Sequence, residues 1–108
     1  DQPIYRILVV EDSAENRLLL VQLLLLVGFE VREAENGREA ILQWERWHPH
    51  LIFMDMRMPI VDGYEATKVL RKQGFRKPII ALTASVFGNI EQLKNEIGID
   101  DMVVKPFQ

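Results

Sequence analysis

Leu51-Ile52-Phe53-Met54-Asp55-Met56-Arg57-Met58-Pro59 is the stretch from which the fold of this chain can be read. Four apolar residues without polar alternation read as a strand covered on both faces. The run ends on a carboxylate, Asp55, and Pro59 then breaks the chain. Downstream, Asp62-Gly63 reads as turn and helix entry, and the periodicity predicts a helix over Gly63 to Lys72. Pro78 to Leu82 reads as the next strand, Asn89 to Glu96 as a weaker helix, and Met102 to Val104 as a last strand before Lys105-Pro106. Upstream, His48-Pro49 closes a helix over Gly37 to Trp47. Phe29 to Glu33 and Arg6 to Val10 read as two further strands. Between them lies a helix with Asp12 as N-cap, Glu15 three residues on and Gly28 as the stop.

Strands alternating with helices of about three turns predict an α/β fold, a parallel sheet with helices on both faces. Such folds bind ligands beyond the carboxyl ends of their strands. The residues expected there are Glu11 and Asp12 after the first strand, Asp55 after the third, Thr83 after the fourth and Lys105 after the fifth. Three carboxylates on one edge repel one another, and a hard divalent cation with oxygen ligands compensates them. With Mg²⁺ and Lys105 the formal charges cancel, which leaves the site able to receive a phosphate dianion. Aspartate is a competent nucleophile towards phosphorus. Asp55, ending the central strand, is therefore the candidate phosphoacceptor, with Glu11 and Asp12 left to hold the metal and the Thr83 hydroxyl facing the new phosphoryl group.

At these residues the chain resembles the receiver domains of two-component response regulators. The resemblance rests on Val9-Val10-Glu11-Asp12-Ser13, Met54-Asp55-Met56-Arg57-Met58-Pro59 with Asp62-Gly63, Ala81-Leu82-Thr83-Ala84, and Asp100-Asp101 leading to Lys105-Pro106-Phe107. It implies a doubly wound, flavodoxin-like sheet in the order 2-1-3-4-5, and transfer of phosphate to Asp55 from a phosphohistidine on a kinase or phosphotransfer protein. It implies Mg²⁺ (Mn²⁺ as a substitute) on Asp12, Asp55, the Arg57 carbonyl and, through water, Glu11. Thr83, Lys105 and the Ala84 backbone would hold the phosphoryl oxygens, and the Lys105-Pro106 bond would be cis. The wording from Glu11 to Arg17, with Met54 to Pro59, looks most like receivers fused to hybrid histidine kinases. The resemblance makes the chain a self-phosphorylating and self-dephosphorylating switch, not an enzyme turning over a separate substrate.

Two features depart from that pattern. The switch residue expected to follow Thr83 is aromatic in the family, and here the aligned residue is Met102, which lacks a ring and a hydroxyl. The sequence also stops just after the fifth strand, without the family's final helix. Meanwhile Leu18 to Val27 is apolar all round apart from Gln22. A helix of that kind is ordinarily buried on more than one side. The expectation is that residues 1–108 are one receiver unit, a slice of a longer protein, or that the first helix packs on a partner.

At 108 residues and 48% apolar content the chain has the material for one core, and it has no cysteine for a disulfide, a zinc-thiolate site or a thiol nucleophile. A formal net charge of −3 argues against nucleic acid or anionic membrane as main partner, and the longest apolar stretch is too short to span a bilayer. The expected setting is cytoplasmic. His48 and His50 beside Pro49 read as structural, Met54, Met56 and Met58 as packing, and Trp44 and Trp47 as covering the sheet or a neighbour. Two rival functions remain. A receiver-like interaction module would use the same fold without phosphate turnover. An aspartate-nucleophile phosphatase would place an aspartate two residues after the nucleophile, where this chain has Arg57.

Overall fold

A computed structural model describes residues 3–84 and 90–105 of the chain. Five parallel strands, β1 (Arg6–Val10), β2 (Glu30–Ala34), β3 (Leu51–Asp55), β4 (Ile79–Thr83) and β5 (Asp101–Val104), form one sheet in the order β2-β1-β3-β4-β5. Helices α1 (Ala14–Val27), α2 (Gly37–Trp47), α3 (Gly63–Lys72) and α4 (Ile90–Ile97) connect them. The doubly wound order expected from the resemblance is the order observed.

Alternation along the strands splits the core into two layers. Leu8, Val10, Ile52, Met54, Ile79 and Ala81 meet Ala40, Trp47, Ala66 and Leu70 of α2 and α3 on one side. Ile7, Val9 and Leu82 meet Leu20 and Val21 of α1 on the other. The central strands β1, β3 and β4 thus bury both faces, which is why their sequence runs are almost continuously apolar, whereas the edge strands β2 and β5 are largely exposed.

The edges of several elements differ from the sequence reading for local reasons. Ser13, not Asp12, caps α1: its hydroxyl accepts from the Asn16 amide, while Asp12 stays exposed. Phe29 closes the end of α1 rather than opening β2. Its amide donates to the Leu24 carbonyl and that of left-handed Gly28 to Leu25, a Schellman arrangement that delays β2 to Glu30. Pro78 has no N–H to give, so β4 starts at Ile79 and runs through Thr83, which is the last residue of the strand rather than the first beyond it. Asp62 caps α3 as expected, accepting from the Glu65 amide at 2.9 Å.

Trp47 is buried beneath the Arg32 guanidinium, and Trp44 meets Phe75 edge to face. Met54 and Met56 are buried and Met58 packs against the same core. His48 closes α2 in a left-handed conformation, and His50 accepts the Arg6 amide on Nδ1. The described chain covers α1 on one side only. Leu20 and Val21 are buried, whereas Leu26 is 85% exposed and Leu18, Leu25 and Val27 also face outward. No helix among the described residues is long and apolar enough to cross a membrane.

Candidate phosphoacceptor site

The carboxyl ends of β1, β3 and β5 converge. Glu11 follows β1, and its amide donates to the Ala34 carbonyl at the end of β2. Asp55 ends β3, and Lys105 follows β5, its amide donating to the Thr83 carbonyl at 2.7 Å. Oxygens of Glu11, Asp12 and Asp55 lie within 4.8 Å of one another. The Lys105 ammonium reaches between two of them, 3.2 Å from Glu11 Oε1 and 3.3 Å from Asp55 Oδ1. Glu11 is fully buried and Asp55 is 1% exposed.

Two buried charges on adjacent strands need fixed partners. The Arg57 amide donates to Asp55 Oδ1 at 3.2 Å, so the turn after β3 itself holds the carboxylate. That turn closes tightly. The Gly63 amide donates to the Met56 carbonyl, and a Cβ on Gly63 would overlap the Asp55 carbonyl oxygen and crowd the Met56 Cα. Ile60, in the same turn, is held at φ 70, a region that β-branched residues rarely enter.

Burial first, and then the Glu11 carboxylate beside it, push Asp55 above the ordinary carboxylate range. Asp12, although exposed, is raised by partial desolvation and by the neighbouring Asp55. For Lys105, burial works to lower the ammonium, but Asp55 and Glu11 together outweigh it and hold it above its usual value.

The donor set fits Mg²⁺. Glu11 Oε2 and Asp55 Oδ2 are buried acceptors without a hydrogen-bond partner, the signature of a place prepared for a cation or its water. Opposed ligands of Mg²⁺ lie about 4.2 Å apart. A cluster whose oxygens lie within 4.8 Å of one another suits a mixture of direct and water-bridged ligation.

Five of the expected residues, Glu11, Asp12, Asp55, Thr83 and Lys105, stand on this one edge. Ala84, exposed, follows Thr83 directly. Met102 lies one strand over, opposite Ala81, partly buried against the α2–α3 side of the core. The Lys105-Pro106 bond falls outside the described residues. Arg17 escaped the sequence reading. It donates from Nη1 to the Glu11 carbonyl at 2.8 Å and from Nε to Glu33 at 2.9 Å, tying the acidic loop to the end of β2. The signal was a cation in the first turn of a helix, where the macrodipole disfavours it unless acceptors stand nearby.

Residues 7–108 match the family model described as the response regulator receiver domain. The chain belongs to that family. As a receiver domain it is a unit of two-component signalling. It is 46% identical over 104 residues to a probable transcriptional regulator, ycf27, of Pyropia yezoensis, covering 94% of this receiver but only 42% of the regulator. It is 38% identical over 100 residues to the sensor protein EvgS of Escherichia coli O157:H7, with 93% of this chain and 8% of EvgS covered. The chemotaxis protein CheY of Bacillus subtilis is 36% identical over 105 residues, with 96% and 88% covered.

Solved structures agree with the fold. Chemotaxis protein CheY4 of Vibrio cholerae superposes with a TM-score of 0.91 at 30% identity, covering 98% of this receiver and 90% of CheY4. The receiver domain of sensor histidine kinase PA1611 from Pseudomonas aeruginosa, solved with magnesium coordinated in its active-site cleft, gives 0.86 at 35% identity, with 98% and 88% covered. The receiver domain of Ssk1 from Saccharomyces cerevisiae, solved with the histidine phosphotransfer protein Ypd1, gives 0.84 at 31% identity, with 98% and 81% covered.

Proposed function

We propose that this receiver accepts a phosphoryl group on Asp55 from a phosphohistidine, in a Mg²⁺-dependent transfer, and changes its surface in response. The observation that carries the reading is the buried pair Glu11 and Asp55, bridged by Lys105 and each left with one unpartnered oxygen. Asp55 Oδ1 accepts from the Arg57 amide and Lys105, so Oδ2 would be the oxygen that attacks phosphorus, and Oδ1, released as Lys105 moves away, the one left for the metal. As the O–P bond forms, the P–N bond to the donor imidazole breaks and the electron pair leaves with the histidine.

Glu11, Asp12, Asp55 and the Arg57 carbonyl would hold Mg²⁺. When bound, it would neutralise charge on the equatorial oxygens. Lys105 moves from the carboxylates to a phosphoryl oxygen, and Thr83 and the Ala84 amide donate to the others. Thr83 is then drawn towards the site, and Met102 repacks without a hydroxyl to exchange partners. Mn²⁺ would substitute for Mg²⁺.

The donor would be a histidine kinase or a phosphotransfer protein, the class of partner present with Ssk1. The similarity to EvgS supports a hybrid histidine kinase as parent, and the similarity to ycf27 supports a transcriptional regulator with an output domain in cis. In either setting residues 1–108 act as one receiver unit in the cytoplasm, with the open side of α1 covered by further chain or a partner. This unit itself would contact neither nucleic acid nor membrane, in keeping with its net charge of −3.

Incubation with a small-molecule phosphodonor, with and without Mg²⁺, tests the proposal by intact mass. One added phosphoryl group, dependent on Mg²⁺ and lost in Asp55→Asn, is expected. No gain in a folded chain would favour the receiver-like interaction module.

A further inference from the structure

The edge of the sheet where the strands begin carries a feature that phosphoryl transfer does not use. Arg6, His50, Arg76 and Lys77 border a cavity of about 450 Å³ with Trp44 and Phe75 among its walls, and no carboxylate lines it. That size is ordinary for a small-molecule site. A strand rises about 3.3 Å per residue, so Arg6 lies about 16 Å from Glu11 and the two sites are independent. In a chain of net charge −3, a carboxylate-free hollow bearing three permanent cations reverses the general sign of the surface.

The two guanidinium groups are held, yet not satisfied. Arg6 donates through Nε and Nη2 to the carbonyls of Trp47 and His48, and Arg76 through Nη1 to the Arg71 carbonyl at 2.7 Å. Nη1 of Arg6, Nη2 of Arg76 and the Lys77 ammonium find no partner among the described residues. Because His50 accepts on Nδ1, its neutral ring carries the proton on Nε2 and adds a donor. Burial, then the charges of Arg6 and Lys77, lower its pKa and keep it neutral. Half-buried Trp44 supplies an aromatic wall, backed edge to face at 6.3 Å by Phe75 of the core. Fixed donors without acceptors exclude a metal cation and match phosphate oxygens.

We infer that this cavity binds a small phosphorylated molecule with a planar body, of the nucleoside monophosphate class. Its phosphate lies on Arg6, Arg76 and Lys77, and its ring lies against Trp44. Amide NMR of the 108-residue chain tests this in EDTA and in the Asp55→Asn background, so that neither metal nor phosphoryl transfer contributes. Titration with adenosine monophosphate is expected to give saturable shifts at His50, Phe75, Arg76 and Lys77, with none at Asp12 or Thr83. Inorganic phosphate should shift the same residues more weakly, and adenosine should shift none. Arg76→Glu and Lys77→Glu, both at exposed positions, should each weaken binding about tenfold with the remaining spectrum unchanged. Three results would overturn the inference: no saturation by about 10 mM nucleotide, adenosine binding as well as its phosphate, or unchanged affinity in both charge reversals. Inorganic phosphate binding as tightly as the nucleotide would overturn the role of the aromatic wall.

Discussion

Replacing the proposed phosphoacceptor by its neutral isostere, Asp55→Asn, is expected to stabilise the metal-free domain. At an effective dielectric of about 20, like charges at the cluster's limiting separation of 4.8 Å repel by about 3.5 kcal/mol, and the Lys105–Asp55 pair at 3.3 Å attracts by about 5 kcal/mol. Asp12 is exposed, so water screens its share of the repulsion. Attraction and repulsion at Asp55 therefore nearly cancel. What survives is the cost of holding a carboxylate at 1% exposure with Oδ2 unpartnered. Asparagine removes that charge, keeps an oxygen for the Arg57 amide, and offers an N–H to the equally unpartnered Glu11 Oε2. The gain is about 1–2 kcal/mol at pH 7, or about 5–10 °C in Tm for a domain of this size.

The pH dependence has a definite sign. A carboxyl whose folded pKa is raised above 3.8 favours the fold below that value, and the benefit is lost as pH rises through the folded pKa. The variant's advantage should therefore grow as pH rises through the folded pKa and vanish towards pH 3.8. Mg²⁺ should reverse the order. Ligand at a hundred times its Kd stabilises by about 2.7 kcal/mol, more than the variant's advantage, and the variant with one carboxylate fewer should gain much less. Thermal and urea denaturation in EDTA and in Mg²⁺ read all of this. A variant less stable than the parent in EDTA at pH 7 would refute the reasoning, because Lys105 would then make the Asp55 charge a net contributor to the fold.

Four other substitutions separate roles that sit close together. Ser13→Ala should cost about 0.5–1 kcal/mol without changing Mg²⁺ affinity, whereas Asp12→Ala should cost no stability and weaken Mg²⁺ about tenfold; denaturation and calorimetric titration would show the reverse pattern if Asp12 were the cap. Gly63→Ala should cost at least about 3 kcal/mol in urea denaturation, since the atoms its Cβ meets are backbone, and a cost below about 1 kcal/mol would contradict the close approach. Arg17→Gln should weaken Mg²⁺ about tenfold in titration by releasing the Glu11 carbonyl, and unchanged affinity would reduce Arg17 to a surface pair with Glu33.

The central strands were legible because burial on both faces writes itself into the sequence as short unbroken apolar runs, and the polar residues after each run had one edge to occupy. Errors came where two local solutions have the same composition. Asp12 and Ser13 are both good caps with an acidic residue downstream, and the choice between them depends on where the chain leaves β1. Glu11 is held back by Ala34 and Arg17, so the helix begins one residue later and Asp12 is released to face the acidic pocket. Phe29 was read as strand because it is apolar, but a hydrophobic residue after a left-handed glycine is also what closes a helix.

The same consideration explains why the site was more legible than the residues supporting it. A carboxylate or lysine at a strand end has few structural reasons to be there, so its type and position carry information. Gly63, Arg17 and the Arg57 amide act through backbone approach or backbone hydrogen bonds, and nothing in a glycine or an arginine specifies which carbonyl it meets. Yet these determine the geometry. Gly63 lets α3 close onto the Asp55 carbonyl, that closure holds the turn whose Arg57 amide anchors Oδ1, and Lys105 completes the cage from β5. Since Lys105 is fixed by the Thr83 carbonyl, any event that draws Thr83 inward also moves the ammonium that balances Glu11 and Asp55. Charge balance and strand position are therefore coupled through one backbone bond between Lys105 and Thr83. Under the proposed phosphoryl transfer, that coupling would give a phosphoryl group on Asp55 a route to the β4–β5 edge that does not require an aromatic ring at Met102.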